Sequence, residues 1–572
     1  MFKNRIVYNM KTIICCINSK YIHSSLAPWC LLAGVREFSK TEPDVKIIEG
    51  TINENVNEIH KRITAENPDA VAFCTYIWNI KTVTLLIDML KFDNPKLTVI
   101  MGGPEVSYNA NEILHENQNV DYILSGEGER SFPALLDALN AYSDLSEIDG
   151  LCYRKNGEII ISEPCILAEE PPSPYSDEYF KALNGRIAYL ETSRGCPYSC
   201  AFCLSGRCGN ARFFNIERAK NEIILLANSG TKTVKLVDRT FNANKKRAKE
   251  IFAFVIENYG GKIPQGVCIH FEIAGDILDD ETIKILNTAP QGSIQLEIGL
   301  QSFNPKTLDC INRKTDVEKL KTNILKLTEN KNIHIHIDLI AGLPYENLES
   351  FKDSFNTAFT LNPNMLQLGF LKLLHGAPMR ERAEKFPCEF STEPPYEVAS
   401  TPWLSEKDIS ELKRIEDALE RVNNSSRFRR TLNYVFETVS FTPYEFFSRF
   451  SQYLSDKELK NIHIDLYSEY LFDFINTLSG ISRSVLRDKM VCDRLAVNYS
   501  GSVPAFLRIV DKDYKKFRNA LNKEIPLKNG NLHKRGFAVL YSQNQVVYSD
   551  YISFDPVNKE YDLHFIDFKK IF

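Results

Sequence analysis

Three cysteines, Cys196, Cys200 and Cys203, stand at C-x3-C-x2-C spacing in Glu191-Thr-Ser-Arg-Gly-Cys-Pro-Tyr-Ser-Cys-Ala-Phe-Cys203. They follow the apolar run Ile187-Ala-Tyr-Leu190, which reads as a buried strand. Arg194-Gly195 then turns the chain into a loop. Such short spacers let one loop wrap a single metal centre. Three thiolates are one short of the four that usually close an iron–sulfur cluster, and an open iron can hold a substrate or cofactor. The alternative is a closed zinc site with Cys208, five residues on, as fourth ligand.

The elements that position this loop recur. Between residues 186 and 375, apolar strands are expected at 187–193, 232–238, 267–274, 294–299, 333–340 and 365–371, with helices between them, such as 215–229, 245–259 and 317–330. Six strand–helix units, with the C-x3-C-x-aromatic-C loop after the first, resemble the radical-SAM superfamily and its partial (β/α)6 barrel. The resemblance implies a 4Fe–4S cluster on Cys196, Cys200 and Cys203, and S-adenosylmethionine at the fourth iron. Barrels of this kind carry function at the carboxyl ends of their strands. There the resemblance implies a set of S-adenosylmethionine-binding residues. Phe202 belongs to the cluster motif, and Asp238 stands where the family holds the methionine amino group. Glu272 lies in the third strand. Glu297 and Gln301 lie near the ribose position, Gly342 where backbone packs on adenine, and Arg313 where it could meet the methionine carboxylate. His334, His336 and Asp338 alternate onto one strand face, and packing or substrate contact is expected of the two histidines ahead of metal binding. His375 follows the sixth strand.

Residues 12–140 also alternate strands (12–17, 45–48, 70–74, 97–101, 121–124) with helices. This pattern predicts a parallel sheet covered on both faces, with ligands at its carboxyl edge. The loops there include Tyr76 and Trp78, Gly102-Gly103-Pro-Glu105 and Gly126-Glu-Gly128-Glu129. They resemble the cobalamin-binding domain fused to one class of radical-SAM enzymes. Gly102, Gly103, Gly126 and Gly128 are expected to let a corrin approach the backbone, and Tyr76 and Trp78 to pack on it. The D-x-H-x-x-G motif, whose histidine ligates cobalt, is absent: Tyr21 and Leu26 flank His23 at the positions that matter.

The fold class is therefore α/β. A doubly wound flavodoxin-like domain (11–140) precedes a hairpin and linker (141–180), the latter marked by Asn156-Gly157 and a run of prolines. The partial barrel follows (181–384), and an α+β C-terminal extension (385–572) is expected to cover it. Ser405-Glu-Lys-Asp408 reads as a capping box, and the aromatics of 434–453 read as core.

Composition narrows the setting. The chain has 572 residues, 44% apolar and 25% charged, with a net charge of −5. It is globular in composition, and bulk charge gives no reason to expect a nucleic-acid partner. No apolar run reaches the roughly 20 residues that span a bilayer. Fourteen scattered cysteines and an N-terminus without a secretory signal favour a reducing cytoplasm. The expected function is a radical-SAM enzyme, cobalamin-dependent and methyltransferase-like. It would use a 5′-deoxyadenosyl radical to methylate or rearrange an unactivated carbon of a small-molecule or lipid-like substrate, with flavodoxin or ferredoxin as reductant. Two alternatives differ in class: a methylthiotransferase-like enzyme, and a cluster-bearing sensor or electron carrier whose N-terminal domain is only a scaffold. Failure to cleave S-adenosylmethionine would favour the second.

Overall fold

The computed structural model describes residues 10–509, 513–524 and 535–570; the side chain of Cys208, the candidate fourth zinc ligand, lies outside that description. The chain divides into two compact units. One comprises Met1–Ala274, Leu308–Lys314 and Phe370–Pro402, the other Gly275–Thr307, Thr315–Gly369 and Trp403–Phe572.

The first unit opens with β1 (Lys11–Asn18), β2 (Asp44–Thr51), β3 (Ala70–Cys74), β4 (Thr98–Gly102) and β5 (Tyr122–Leu124). Their order is β2-β1-β3-β4-β5, with every pairing parallel. Successive side chains point to opposite faces. Ile13, Cys15 and Ile17 therefore enter one apolar cluster and Ile14 and Cys16 the other. Two buried faces demand helices on both sides, which is the doubly wound arrangement. The hairpin β6 (Leu151–Lys155) and β7 (Glu158–Ile160) extends this sheet, β6 pairing antiparallel with β5. Its turn uses Asn156 and Gly157 at φ 54° and 86°, the left-handed pair that a two-residue hairpin requires.

Further along the unit come β8 (Ala188–Leu190), the short antiparallel pair β9 (Ser193–Arg194) and β10 (Arg212–Phe213), then β11 (Thr233–Leu236) and β12 (Cys268–Ile273). β8, β11 and β12 are successive parallel neighbours. Their outward residues are apolar, for example Phe271, which packs on Phe241 and Phe252. The alternate face carries Tyr189, Lys235, His270 and Glu272.

The second unit contains β13 (Ile294–Gln301), β14 (His334–Ala341) and β15 (Met365–Phe370), in that order. All six strands expected between 187 and 371 are present. The C-terminal stretch is α+β, and Ser405 and Asp408 form the reciprocal capping box. Tyr444, Phe446, Phe447 and Phe450 are buried, as expected. Within the unit, Tyr444 and Phe447 pack on Phe355 of helix Leu348–Thr360. Leu366 N donates to Asn424 Oδ1 at 3.1 Å, and Asn364 Nδ2 lies 3.4 Å from Asn558 Oδ1. A Cβ on Gly292 would stand 2.4 Å from Pro556. These contacts lie on the outer helix and at the amino ends of β13 and β15, away from the carboxyl ends. The aromatic face of helix Leu348–Thr360 needs a partner, and the C-terminal helices supply it. Trp403 does reach a carboxyl end, its ring packing tilted against Tyr345 after β14 with centroids 4.6 Å apart.

Candidate functional site

The cysteine loop leaves β8 and is bracketed by β9 and β10. Backbone bonds anchor it: Ala201 N donates to Ile311 O, and Met379 N to Ala201 O, both at 2.9 Å. The segment Leu308–Lys314 thus lies against the loop. Arg313 Nη1 points at Cys200 Sγ from 3.7 Å. Ser205 N donates to Cys203 Sγ at 3.4 Å, and Thr240 Oγ1 lies 3.5 Å from Cys196 Sγ. Burial raises the Cys200 thiol above its ordinary range, and the Arg313 guanidinium opposes that shift. Phe202 is half-buried between Cys200 and Cys203. Arg313, expected near the methionine carboxylate, lies beside the Cys200 sulfur.

The donor set fits a cluster. One tetrahedral zinc would hold its sulfurs roughly 3.8 Å apart, given Zn–S bonds of about 2.3 Å. Among the described residues, the one trio of ligand atoms within 4.8 Å of one another is Glu297, His336 and Asp338. The three thiol sulfurs do not all lie within 4.8 Å of one another, a spread wider than a single zinc would hold them.

Arg194, two residues before Cys196, was not singled out from sequence. Its guanidinium meets Glu191 at 2.6 Å, Glu129 at 2.8 Å and Glu127 at 3.1 Å. Glu127 also binds Arg212 of β10 and accepts from Leu167 N at 2.9 Å. The loop after β5 is therefore tied by charge to both strands that bracket the cysteines. The alternation of Glu127 and Glu129 with glycines was visible in the sequence; their partner, far along the chain, was not.

Asp238 is fully buried. Its carboxylate accepts from Thr192 N at 3.0 Å, from Thr192 Oγ1 at 2.8 Å and from the Ser193 hydroxyl. Burial pushes its pKa up to about 6, against those three donors. Both oxygens are committed to the residues before the cysteine loop, which is at odds with the expected role as acceptor for an ammonium group. Glu272 pairs with Lys235 at 3.2 Å across β11 and β12.

In the second unit, Glu297 of β13 stands opposite His336 of β14 in the parallel register, and Gly299 opposite Asp338. Gln301 ends β13 at a bulge, with φ 74°. Gly342, at φ 91°, turns the chain after β14. Beyond it, Glu346 is buried, accepting from Ser302 at 2.7 Å and Ser354 at 3.0 Å, and burial pushes its pKa up to about 7.

At the carboxyl edge of the N-terminal sheet, Tyr76 and Trp78 stack on each other, centroids 4.4 Å apart and planes 5° apart. Trp78 remains 44% exposed, and its Nε1 donates to Ile17 O. This aromatic face suits a flat ring. Three of the glycines also serve the packing of the chain itself. A Cβ on Gly103 would meet Thr75 O at 2.4 Å, on Gly126 Cys165 O at 2.3 Å, and on Gly128 the Leu31 side chain at 2.6 Å. Each is required by the packing of its own loop. Gly102 would make only ordinary contact, with Leu124 O at 3.5 Å. His23, in the loop after β1, spends Nδ1 on Tyr189 Oη at 2.7 Å. Glu105 accepts from the Tyr396 hydroxyl, and His375 packs edge-on against Tyr396.

Comparisons with known proteins agree with this layout. The B12 binding domain family matches residues 13–136, the radical SAM superfamily 190–358, and the family described as Protein of unknown function (DUF4080) 384–559. An uncharacterized methyltransferase of Pyrococcus horikoshii is 27% identical over 360 residues, covering 61% of this chain and 76% of the relative. The cobalamin-dependent radical SAM methyltransferase TokK of Streptomyces tokunonensis is 27% identical over 345 residues, 56% of this chain; the alignment spans about half of the relative, 49%. The cobalamin-dependent S-adenosylmethionine radical enzyme OxsB shares the fold at TM-score 0.59 and 15% identity, over 92% of this chain and 82% of that one. No helix among the described residues is long and apolar enough to cross a membrane. The cysteine loop, the order of strands and these matches converge: the chain is a radical-SAM enzyme that carries a B12-binding domain.

Proposed function

We propose that the chain holds a 4Fe–4S cluster on Cys196, Cys200 and Cys203, takes S-adenosylmethionine as co-substrate and binds cobalamin beside Tyr76 and Trp78. With these it methylates or rearranges an unactivated carbon of a small-molecule or lipid-like substrate. The observation that carries the reading is the cysteine loop itself, with three thiols on one turn, Arg313 and the Ser205 N–H donating to Cys200 and Cys203, and the Thr240 hydroxyl beside Cys196. When bound, the cofactors supply reductive cleavage of S-adenosylmethionine, hydrogen abstraction from carbon and a transferable methyl group. The chain's own residues do the rest. The Arg313 guanidinium lies beside Cys200 Sγ and the Ser205 N–H donates to Cys203 Sγ, and such bonds to sulfur tune a cluster's potential. Arg194 and Asp238 fix the start of the loop from either side. A flavodoxin- or ferredoxin-type reductant and a cytoplasmic setting accord with free thiols throughout the described residues.

Alanine replacement tests the reading. Cys196→Ala, Cys200→Ala and Cys203→Ala each abolish iron and sulfide uptake in anaerobic reconstitution, together with formation of 5′-deoxyadenosine. Cys208→Ala spares both. Equal loss in Cys208→Ala means a closed four-cysteine site and removes the open iron.

A further inference from the structure

The alternate face of β13 and β14 is polar where a packed core would be apolar. Register places Glu297 directly across from His336, and Gly299 across from Asp338. Glycine adds no side chain across from Asp338. One ligand atom each from Glu297, His336 and Asp338 lies within 4.8 Å of the other two. His336 Nε2 and Asp338 Oδ1 are 2.9 Å apart, with their side chains 7% and 19% exposed. That contact lacks the angle of a hydrogen bond, and Asp338 Oδ1 is buried with no hydrogen-bond partner. A buried carboxylate oxygen left in that state costs free energy. A cation shared with the neighbouring imidazole and carboxylate removes the cost.

We propose that Glu297, His336 and Asp338 form a second metal site, separate from the cysteine loop, that takes one first-row divalent cation. Two carboxylates balance its charge. One imidazole and two oxygen donors, without thiolate, suit Mn²⁺, Fe²⁺ or Zn²⁺ over soft Cu⁺. Three protein ligands leave coordination positions open, as catalytic rather than structural sites do, and an oxygen of a bound ligand can fill one. Glu297 is then a metal ligand and not a ribose contact.

The test uses Mn²⁺ and the full-length, anaerobically reconstituted protein after a chelator wash. The oxidised cluster is silent in electron paramagnetic resonance, so loss of the six-line signal of free Mn²⁺ reports binding. One Mn²⁺ per chain is expected. Glu297→Gln, His336→Gln and Asp338→Asn should each weaken binding more than about tenfold, since losing even a partner of a ligand costs that much. Iron per chain stays as in the wild type, which separates this site from the cluster. Binding of Mn²⁺ unchanged in all three variants, or none in the wild type at millimolar metal, overturns the site. Should a variant fail to fold, spin-echo modulation from imidazole nitrogen on wild-type-bound Mn²⁺ decides; its absence also overturns the site.

Discussion

Arg194→Ala should release the cysteine loop without touching a cysteine. The guanidinium serves three carboxylates, but they do not lose equally. Glu127 keeps Arg212 and the Leu167 N–H, and Glu191 is the most exposed of the three, at 19%. Glu129, 5% exposed, loses the one ion pair it has among the described residues. Breaking a buried pair from one side costs about 3–5 kcal/mol, mostly because a charge stays buried alone. At about 1.4 kcal/mol per tenfold, the docked state of residues 191–213 falls by roughly two to three and a half orders of magnitude. Hydrogen exchange of those amides reads local opening directly, and iron per chain after reconstitution reads the consequence. Glu129→Gln alone should cost less, since Arg194 retains Glu127 and Glu191. Adding Glu129→Gln to Arg194→Ala should recover much of the loss, because a neutral amide needs no cation. If the two changes are additive, with no coupling energy in the cycle, the clamp does not hold the loop and the reasoning fails.

Asp238→Ala leaves the Thr192 N–H unpaired in the interior, at about 1–3 kcal/mol, and should speed exchange at 192–193. Weakened S-adenosylmethionine binding with unchanged exchange would instead restore the ammonium-acceptor role. The Asp238 pKa, about 6 against 3.8, means that the native state keeps a proton the unfolded chain has released; stability should therefore fall as pH rises from about 4 to 6, and Asp238→Asn should flatten that slope in thermal midpoints. Glu346, at about 7 against 4.5, adds a decline between about 4.5 and 7 that Glu346→Gln should abolish; a slope unchanged in that variant assigns the titration elsewhere. Reconstituted with hydroxocobalamin and reduced, the protein should show a cob(II)alamin spectrum without nitrogen superhyperfine splitting, because the D-x-H-x-x-G motif is absent around His23; splitting from a protein nitrogen contradicts this, and no corrin retained after gel filtration favours a scaffold.

Strands in both α/β regions were legible because parallel strands buried on two faces are continuous apolar runs bounded by turns. Asn156-Gly157 announced its hairpin for an equally local reason. The cysteine loop was legible because its spacing is short. Partners distant in sequence were not. Nothing near Arg194 points to Glu129, 65 residues earlier, and nothing near Asp238 says that its carboxylate turns back to Thr192. The glycines carry a related ambiguity. A glycine signals that backbone comes close to something, and at Gly103, Gly126 and Gly128 that something is the protein's own chain. His336 and Asp338 were noticed from alternation, and Glu297 from the family resemblance. Their convergence depends on the register of β13 and β14, which sequence periodicity leaves undetermined.

The C-terminal region follows the same logic of unpaired faces. Helix Leu348–Thr360 presents Phe355 and Phe359, and these rings meet Tyr444, Phe447 and Phe436 at centroid distances of 5.3–6.2 Å. Large aromatic side chains carry much of the burial energy of a core. Removing the region therefore bares the back of β14 and β15 before it alters access to their carboxyl ends. The polar face of those strands is held in register by what packs behind it. Loss of activity on truncation would then report loosened strands carrying His336 and Asp338, and a substitution at Trp403, beside Tyr345, is the change that probes the carboxyl end itself.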